Sequence, residues 1–378
     1  MLNFLDLLPI PCRQYSMDFD FFAQSLTEIC GHSLVSPGRS LNCTIIVNPV
    51  AGGFTILSKW KSHVRTLNEY REKARANPQR AMHKNTNLIL TAGKGSGGEI
   101  TAALINEAEN EPDPFYLIIS AGGDGTHSEV MFALYNAPAH VRSNIAILRL
   151  PLGTGNDGAD SANMAGALDL LVNPVHIEFA SAVRLIPAHG GPAGKAGPFL
   201  AFNILSVGLD AYVTHMTNKM KGKVPGDSYK LWVDIASLFY DRLYKVDYFD
   251  VRALDQQNRE VRSFREKLLL LAMGVSGGRT YGSQQKILPD GRNVCGIKQM
   301  PLHRKLAIKG QVTKGAHVNS REAILLNAHR LEFSGGRPIL AQMDGETVLL
   351  QPEDMPAAME LTAPVIPLLR LNKMKICY

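Results

Sequence analysis

Three short turns carry the residues best suited to chemistry. They read Asn48-Pro49-Val50-Ala51-Gly52-Gly53, Gly122-Gly123-Asp124-Gly125-Thr126 and Pro151-Leu152-Gly153-Thr154-Gly155-Asn156-Asp157. Glycine has no Cβ and tolerates positive φ, so backbone N–H groups in such turns can approach phosphate oxygens closely. A helix starting just after the turn adds N–H groups without partners and a partial positive charge. Asp124 lies in the middle of this anion-binding chemistry. A carboxylate there repels phosphate unless a cation lies between them, which points to Mg²⁺ held by a carboxylate together with substrate phosphates. Taken singly, an Asn-Pro or Gly-Gly-Asp-Gly turn is often only a turn. The weight lies in three of them, each directly after a strand. The GxxxxGK[ST] phosphate loop is absent. Gly93-Lys94-Gly95-Ser96-Gly97-Gly98 lacks its Lys-Ser/Thr ending and reads as a flexible turn, with a phosphate contact as the alternative. Far along the chain, Asp344-Gly345-Glu346 is locally a hairpin turn.

The elements that must hold these turns alternate in type from Cys43 onward. Strands are expected over 44–47, 87–91, 115–121 and 145–150, and helices over 60–76, 99–108 and 128–135. That rhythm implies a parallel sheet with helices on its faces and ligands beyond the carboxyl ends of the strands. After about residue 180 the texture becomes β-rich, with strands expected over 183–188, 199–207, 248–253, 268–275, 299–307, 330–334 and 339–344. Leu231, Ile235, Leu238 and Phe239 recur at helical spacing and imply one helix over 229–244. The chain is therefore expected to hold an N-terminal extension (1–40, with a short amphipathic helix at 21–29), an α/β domain (41–180) and a mainly antiparallel β domain with a C-terminal tail (181–378).

With 378 residues, 45% of them hydrophobic and 20% charged, the chain is long enough for two packed domains. The net charge of +6 suits an anionic partner, or only a solvated surface. Cys12, Cys30, Cys43, Cys295 and Cys377 are odd in number and form no CxxC pair, which favours reduced thiols in a cytoplasmic protein over a disulfide framework or a zinc site. The apolar run at 268–275 is far shorter than the ~20 residues of a spanning helix, so membrane contact is expected to be peripheral. Two basic stretches, Lys219/Lys221/Lys223/Lys230 and Arg304/Lys305/Lys309/Lys314, are solvated loops or attractants for anionic headgroups. No GxSxG elbow supports a serine hydrolase.

The three turns in this order, with Glu129 after the second, resemble the diacylglycerol kinase catalytic domain family, which includes bacterial diacylglycerol kinases, sphingosine kinases and ceramide kinases. The resemblance spans roughly 42–350 and is densest in the first half. It implies an α/β nucleotide-binding domain of NAD kinase/diacylglycerol kinase type, followed by an antiparallel β-sandwich. It further implies transfer of the γ-phosphate of ATP, with Mg²⁺, to the hydroxyl of a lipid, diacylglycerol by default. Carried over by motif, Asn48, Gly52, Gly122, Gly123, Gly125, Thr126, Gly153, Thr154 and Asn156 would bind the nucleotide. Asp124 would position Mg²⁺, Asp344 would activate the lipid hydroxyl, and Glu346 would help hold Mg²⁺ or tune Asp344. Asp210, in Gly208-Leu209-Asp210, would bind the acceptor or cap the next helix. One departure concerns a second, structural Mg²⁺ site, because Cys295 stands where an aspartate is expected and Asp290 is its nearest substitute. NAD kinases and phosphofructokinases share the Gly-Gly-Asp-Gly turn, so a soluble-acceptor kinase or a non-catalytic relative is the alternative. A lipid surface is the expected partner, nucleic acid is not, and a homodimer is one reading of the oligomeric state.

Overall fold

The computed structural model describes residues 18–36, 38–76, 82–153, 155–189, 197–220, 240–243, 246–282 and 285–372. They form two units, Met1–Phe179 with Ile366–Tyr378, and Ala180–Val365. In the first unit, β1 (Ser40–Val47), β2 (Met82–Leu90), β3 (Phe115–Gly122), β4 (Ile145–Pro151), β5 (Val175–Ala180) and the C-terminal strand Ile366–Leu371 make one sheet. Its order is β2-β1-β3-β4-C-terminal strand-β5. The pairs β1/β2, β1/β3, β3/β4 and β4/C-terminal strand are parallel. Every residue of β3 and β4 is buried, as continuous apolar runs with both faces covered must be. The helices Leu57–Ala76, Ser96–Asn110, Asp124–Asn136 and Met164–Val172 supply the alternation that the sequence implied.

Two parts of the first unit depart from the sequence reading. The segment taken as an N-terminal extension contains the helix Phe19–Cys30, started by the Asp18 carboxylate accepting the Phe21 N–H at 2.7 Å. Its Phe22, Leu26, Ile29 and Cys30 are buried in the first unit's core. Phe22 packs edge-on against Phe54 at 5.2 Å, and Phe54 lies 5.7 Å from Trp60. Residues 18–30 are thus an integral layer. The segment taken as the tail of the second domain instead returns to the first sheet, where Leu368 lies opposite Ile147. A short apolar run looks the same whichever sheet it joins, and only pairing decides.

The second unit is antiparallel throughout its described strand pairs. Its longest strand, Glu260–Gly274, pairs through its first half with Tyr248–Leu254 and through its second half with Ile204–Gly208 and Val294–Lys298. The two half-sheets share one core. Val251, Leu331, Phe333 and Met359 come from one, and Leu205, Leu271, Met273 and Val348 from the other, which is a sandwich. An irregular register between Leu268 and Leu270 turns Leu269 and Leu270 to the opposite face, against Tyr212, Ile287 and Ile308. The strand expected over 299–307 is instead the helix Leu302–Lys314, entered from Pro301 and stopped by Gly315 at φ 75°. The strand expected over 199–207 is split into Phe199–Ala201 and Ile204–Gly208. The helix expected over 229–244 lies mostly outside the described residues, which show only its last turn, Tyr240–Leu243.

If the N-terminal helix is part of the core, Phe22→Ala should lower stability by about 3–5 kcal/mol in urea unfolding. A loss under about 0.5 kcal/mol would mark that helix as an appendage.

Candidate active site

Strand register decides where the three glycine turns meet. Val47 pairs with Ala121 and Gly122 with Pro151, so β1, β3 and β4 end at one edge. The Asn48 N–H donates to the Ala121 carbonyl at 3.0 Å and its Nδ2 donates to Thr126 Oγ1 at 3.1 Å. The Gly53 N–H donates to the Leu152 carbonyl at 2.7 Å. Gly123 and Gly153 lie face to face, and a Cβ on Gly153 would fall 2.6 Å from the Gly123 Cα. A Cβ on Gly122 would fall 2.6 Å from Thr126 Oγ1. Glycine at 122 and 153 is therefore required by packing before any ligand is considered. Gly125 is the opposite case, with open space where a Cβ would stand, at the start of the helix Asp124–Asn136. Gly52 begins the single turn Gly52–Thr55, and Thr154 lies outside the described residues.

Asp124 is half-buried in the first turn of its helix, and its Oδ1 accepts the Gly158 N–H at 2.7 Å. Burial raises its pKa above the ordinary carboxylate value, against the opposing pull of the Gly158 and Asp157 N–H groups. Asn156 takes the left-handed conformation (φ 59°), and its buried Oδ1 has no hydrogen-bond partner. A buried acceptor without a donor costs free energy, so this oxygen marks a place where a donor group fits.

The Gly93–Gly98 segment is neither a loose turn nor a phosphate cradle. Glu129, one turn into the helix Asp124–Asn136, accepts the Gly95 N–H at 2.7 Å and the Gly97 N–H at 3.0 Å. The donors that a phosphate would need at Gly95 and Gly97 are already committed to this carboxylate. The motif had placed Glu129 after Asp124 without a role.

In the second unit, Asp344 (φ 46°) and Gly345 (φ 98°) form the two-residue turn between the strands Ile339–Met343 and Glu346–Leu350. The Asp344 carboxylate accepts the Asn203 N–H at 3.1 Å and the Ile204 N–H at 3.4 Å, and also that of Phe202. It thereby ties the hairpin to the break between Phe199–Ala201 and Ile204–Gly208. Glu346 is exposed at the start of its strand. Asp210 is buried in the first turn of the helix Leu209–Met220, where it accepts from Ser206 Oγ at 2.5 Å and Gln342 Nε2 at 3.0 Å. Asp290 is held by Arg292 at 2.5 Å. Cys295 is fully buried, and burial pushes its thiol up to about 12. Among the described residues no group of three or more His, Cys, Asp or Glu side chains could hold a metal. Of the second basic stretch, Arg304 pairs with Glu322, and buried Lys305 pairs with Asp241. Lys221, Lys223 and Lys230 of the first stretch lie outside the described residues.

Residues 42–180, which hold all three glycine turns, match the family model of the diacylglycerol kinase catalytic domain. A relative from Xanthomonas euvesicatoria pv. vesicatoria (strain 85-10), described as "Probable lipid kinase YegS-like", is 26% identical over 245 residues, covering 62% of this chain and 73% of its own. Another of the same description, from Serratia proteamaculans (strain 568), is 26% identical over 239 residues, covering 57% and 72%. A crystal structure of a diacylglycerol kinase from Bacillus anthracis str. Sterne superposes with a TM-score of 0.51 at 15% identity, covering 86% of this chain and 96% of that one. A second structure from that organism gives 0.55 at 17%, covering 86% and 94%. The α/β unit and the antiparallel unit are thus the fold of those structures. Among the described residues no helix is long and apolar enough to cross a membrane.

Packing sets the expected outcome at two glycines. Gly153→Ala should destabilise the protein by about 1–3 kcal/mol in urea unfolding, because the new methyl has nowhere to go. Gly125→Ala, in open space, should stay within about 1 kcal/mol of the parent.

Proposed function

We propose that the protein transfers the γ-phosphate of ATP to the hydroxyl of a lipid, with diacylglycerol as the default acceptor. The observation that carries this reading is the convergence of three glycine turns at one sheet edge, with Asp124 among them and open space in front of Gly125. The first N–H groups of the helix Asp124–Asn136 lack intrahelical partners and face an anion favourably. Asn48 and Thr126, joined by their hydrogen bond, brace the first turn against the second. Gly52, Gly122, Gly123 and Gly153 allow the backbone to come close, and Thr154 and Asn156 complete the nucleotide's surroundings. The unpaired Asn156 Oδ1 suits an amino or hydroxyl donor of the nucleotide.

Asp124 would hold Mg²⁺, and with no third ligand near it among the described residues, phosphate oxygens would fill the remaining positions. When bound, the ion neutralises the charge that builds up as the phosphoryl group moves. Asp344 would accept the proton of the lipid hydroxyl. The N–H groups of residues 202–204 fix the orientation of its carboxylate, as a base on a rigid support requires. Glu346 follows Gly345 and would assist the metal or the base. Asp210 enters as a positioning residue. It holds Gln342, whose Oε1 accepts the Gly345 N–H at 3.3 Å and so steadies the turn bearing Asp344. The lipid would be met at a membrane surface by peripheral contact, for which the net charge of +6 is favourable, with the cytoplasm as the compartment.

The test is transfer of radiolabelled γ-phosphate from ATP to a panel of lipids in mixed micelles, with NAD and fructose 6-phosphate as soluble acceptors. Label on a lipid is expected, and label only on a soluble acceptor would overturn the lipid assignment. Asp344→Asn should lower turnover by at least about 100-fold while ATP binding persists. Retained turnover would remove Asp344 from the base role. Asp124→Ala should raise the Mg²⁺ concentration needed for half-maximal rate, and an unchanged requirement would count against its place at the metal.

A further inference from the structure

One buried ion group in the first unit has no part in the roles assigned above. Arg149 lies in β4 and Asp160 closes the loop that follows, with side chains 3% and 0% exposed. Arg149 Nη2 meets Asp160 Oδ1 at 2.7 Å, and the Arg149 N–H donates to Asp160 Oδ2 at 2.7 Å. The Asp160 N–H donates back to the Arg149 carbonyl at 3.2 Å. Arg370, from the C-terminal strand, reaches the same Asp160 Oδ1 at 3.2 Å and faces Glu178 at 3.8 Å. Burial alone would push the Asp160 carboxyl up, but Arg149 and Arg370 hold it below the ordinary carboxylate value. The chain therefore leaves β4 at Pro151 and is returned to residue 149 by a single carboxylate gripped from two strands.

What this grip encloses is the third glycine turn. Between Pro151 and Asp160 lie Gly153, which touches Gly123, Asn156, which carries the unpaired oxygen, and Gly158, whose N–H binds Asp124. Arg149 Nη1 also reaches Met131 Sδ at 3.4 Å, under the helix whose first turn bears Asp124. A buried ion group is a poor source of net stability, since apolar residues of similar volume often do as well. Here it ties the end of the loop back to the sheet, because the carboxylate is held by groups of residues 149 and 370.

We propose that Asp160, clamped by Arg149 and Arg370, is a positioning residue that sets the trace of the described residues 155–160 and through it the affinity for the nucleotide. The nucleotide half of this statement rests on the kinase reading. The loop half does not, and the two are separable by experiment.

The experiment uses the full chain with Asp160→Asn, Arg370→Gln and Arg370→Lys. Arg370→Gln leaves the Arg149–Asp160 pair in place and keeps the test open if Asp160→Asn does not fold. Amide hydrogen exchange without ligand should speed up at least about tenfold over residues 155–160 in Asp160→Asn and Arg370→Gln, with β3 unchanged. The KM for ATP should rise at least about tenfold with a much smaller change in kcat, and Arg370→Lys should recover part of both effects. Unchanged exchange and unchanged KM in both variants would overturn the proposal. So would exchange that rises equally in β3, the sign of general destabilisation. Faster loop exchange in a protein whose parent transfers no phosphate would uphold the clamp while removing the kinase reading.

Discussion

The approach of Gly123 to Gly153 is the contact on which the edge of the first sheet depends. Parallel strands sit close enough that the turns leaving β3 and β4 must pass each other, and here they do so with no Cβ on either side. In the same arrangement the Gly158 N–H reaches Asp124, and the Gly53 N–H meets the Leu152 carbonyl. A methyl group at position 153 would open the β3–β4 turns and loosen both bonds. Gly122 and Gly153 therefore answer first to the packing of loops against loops, whereas Gly125 faces open space.

Carboxylates do the remaining work of holding loops, and they do it through backbone N–H groups. Glu129 takes two from the Gly93–Gly98 segment, Asp124 takes Gly158, and Asp160 takes Arg149 along with its guanidinium. In the second unit Asp344 takes those of Asn203 and Ile204. Hydrogen bonds to an ionised acceptor are stronger than neutral ones, and those here join residues from 11 to 141 positions apart. The loops are thus held by a few charge-assisted bonds together with buried apolar anchors such as Leu152 and Phe54.

Residue types and spacing determined the glycine turns, the Asp124 carboxylate among them, the alternation that builds a parallel sheet, and the antiparallel texture after residue 180. These are legible because each rests on local chemistry: a missing Cβ, a β-branched run, a helix following a turn. The helix Phe19–Cys30 was half legible, since its apolar spacing is in the sequence, but its burial beside Phe54 and Trp60 is not. The helix Leu302–Lys314 reads as a strand in the sequence, where Leu306, Ala307 and Ile308 form a short continuous apolar run. Its character comes from Pro301 at one end and Gly315 at the other.

Tertiary structure alone decided the rest. No local signal tells Ile366–Leu371 to pair with β4 rather than with the sheet it has just left, because both offer the same backbone hydrogen bonds. No spacing rule joins Arg149 to Asp160 and to Arg370, which is 210 residues from Asp160 in sequence, or Asp344 to the N–H groups of residues 202–204. Such pairs are chosen by which chain segments meet in the folded protein. The sequence therefore named the groups able to do chemistry, and the fold decided which of them stand together.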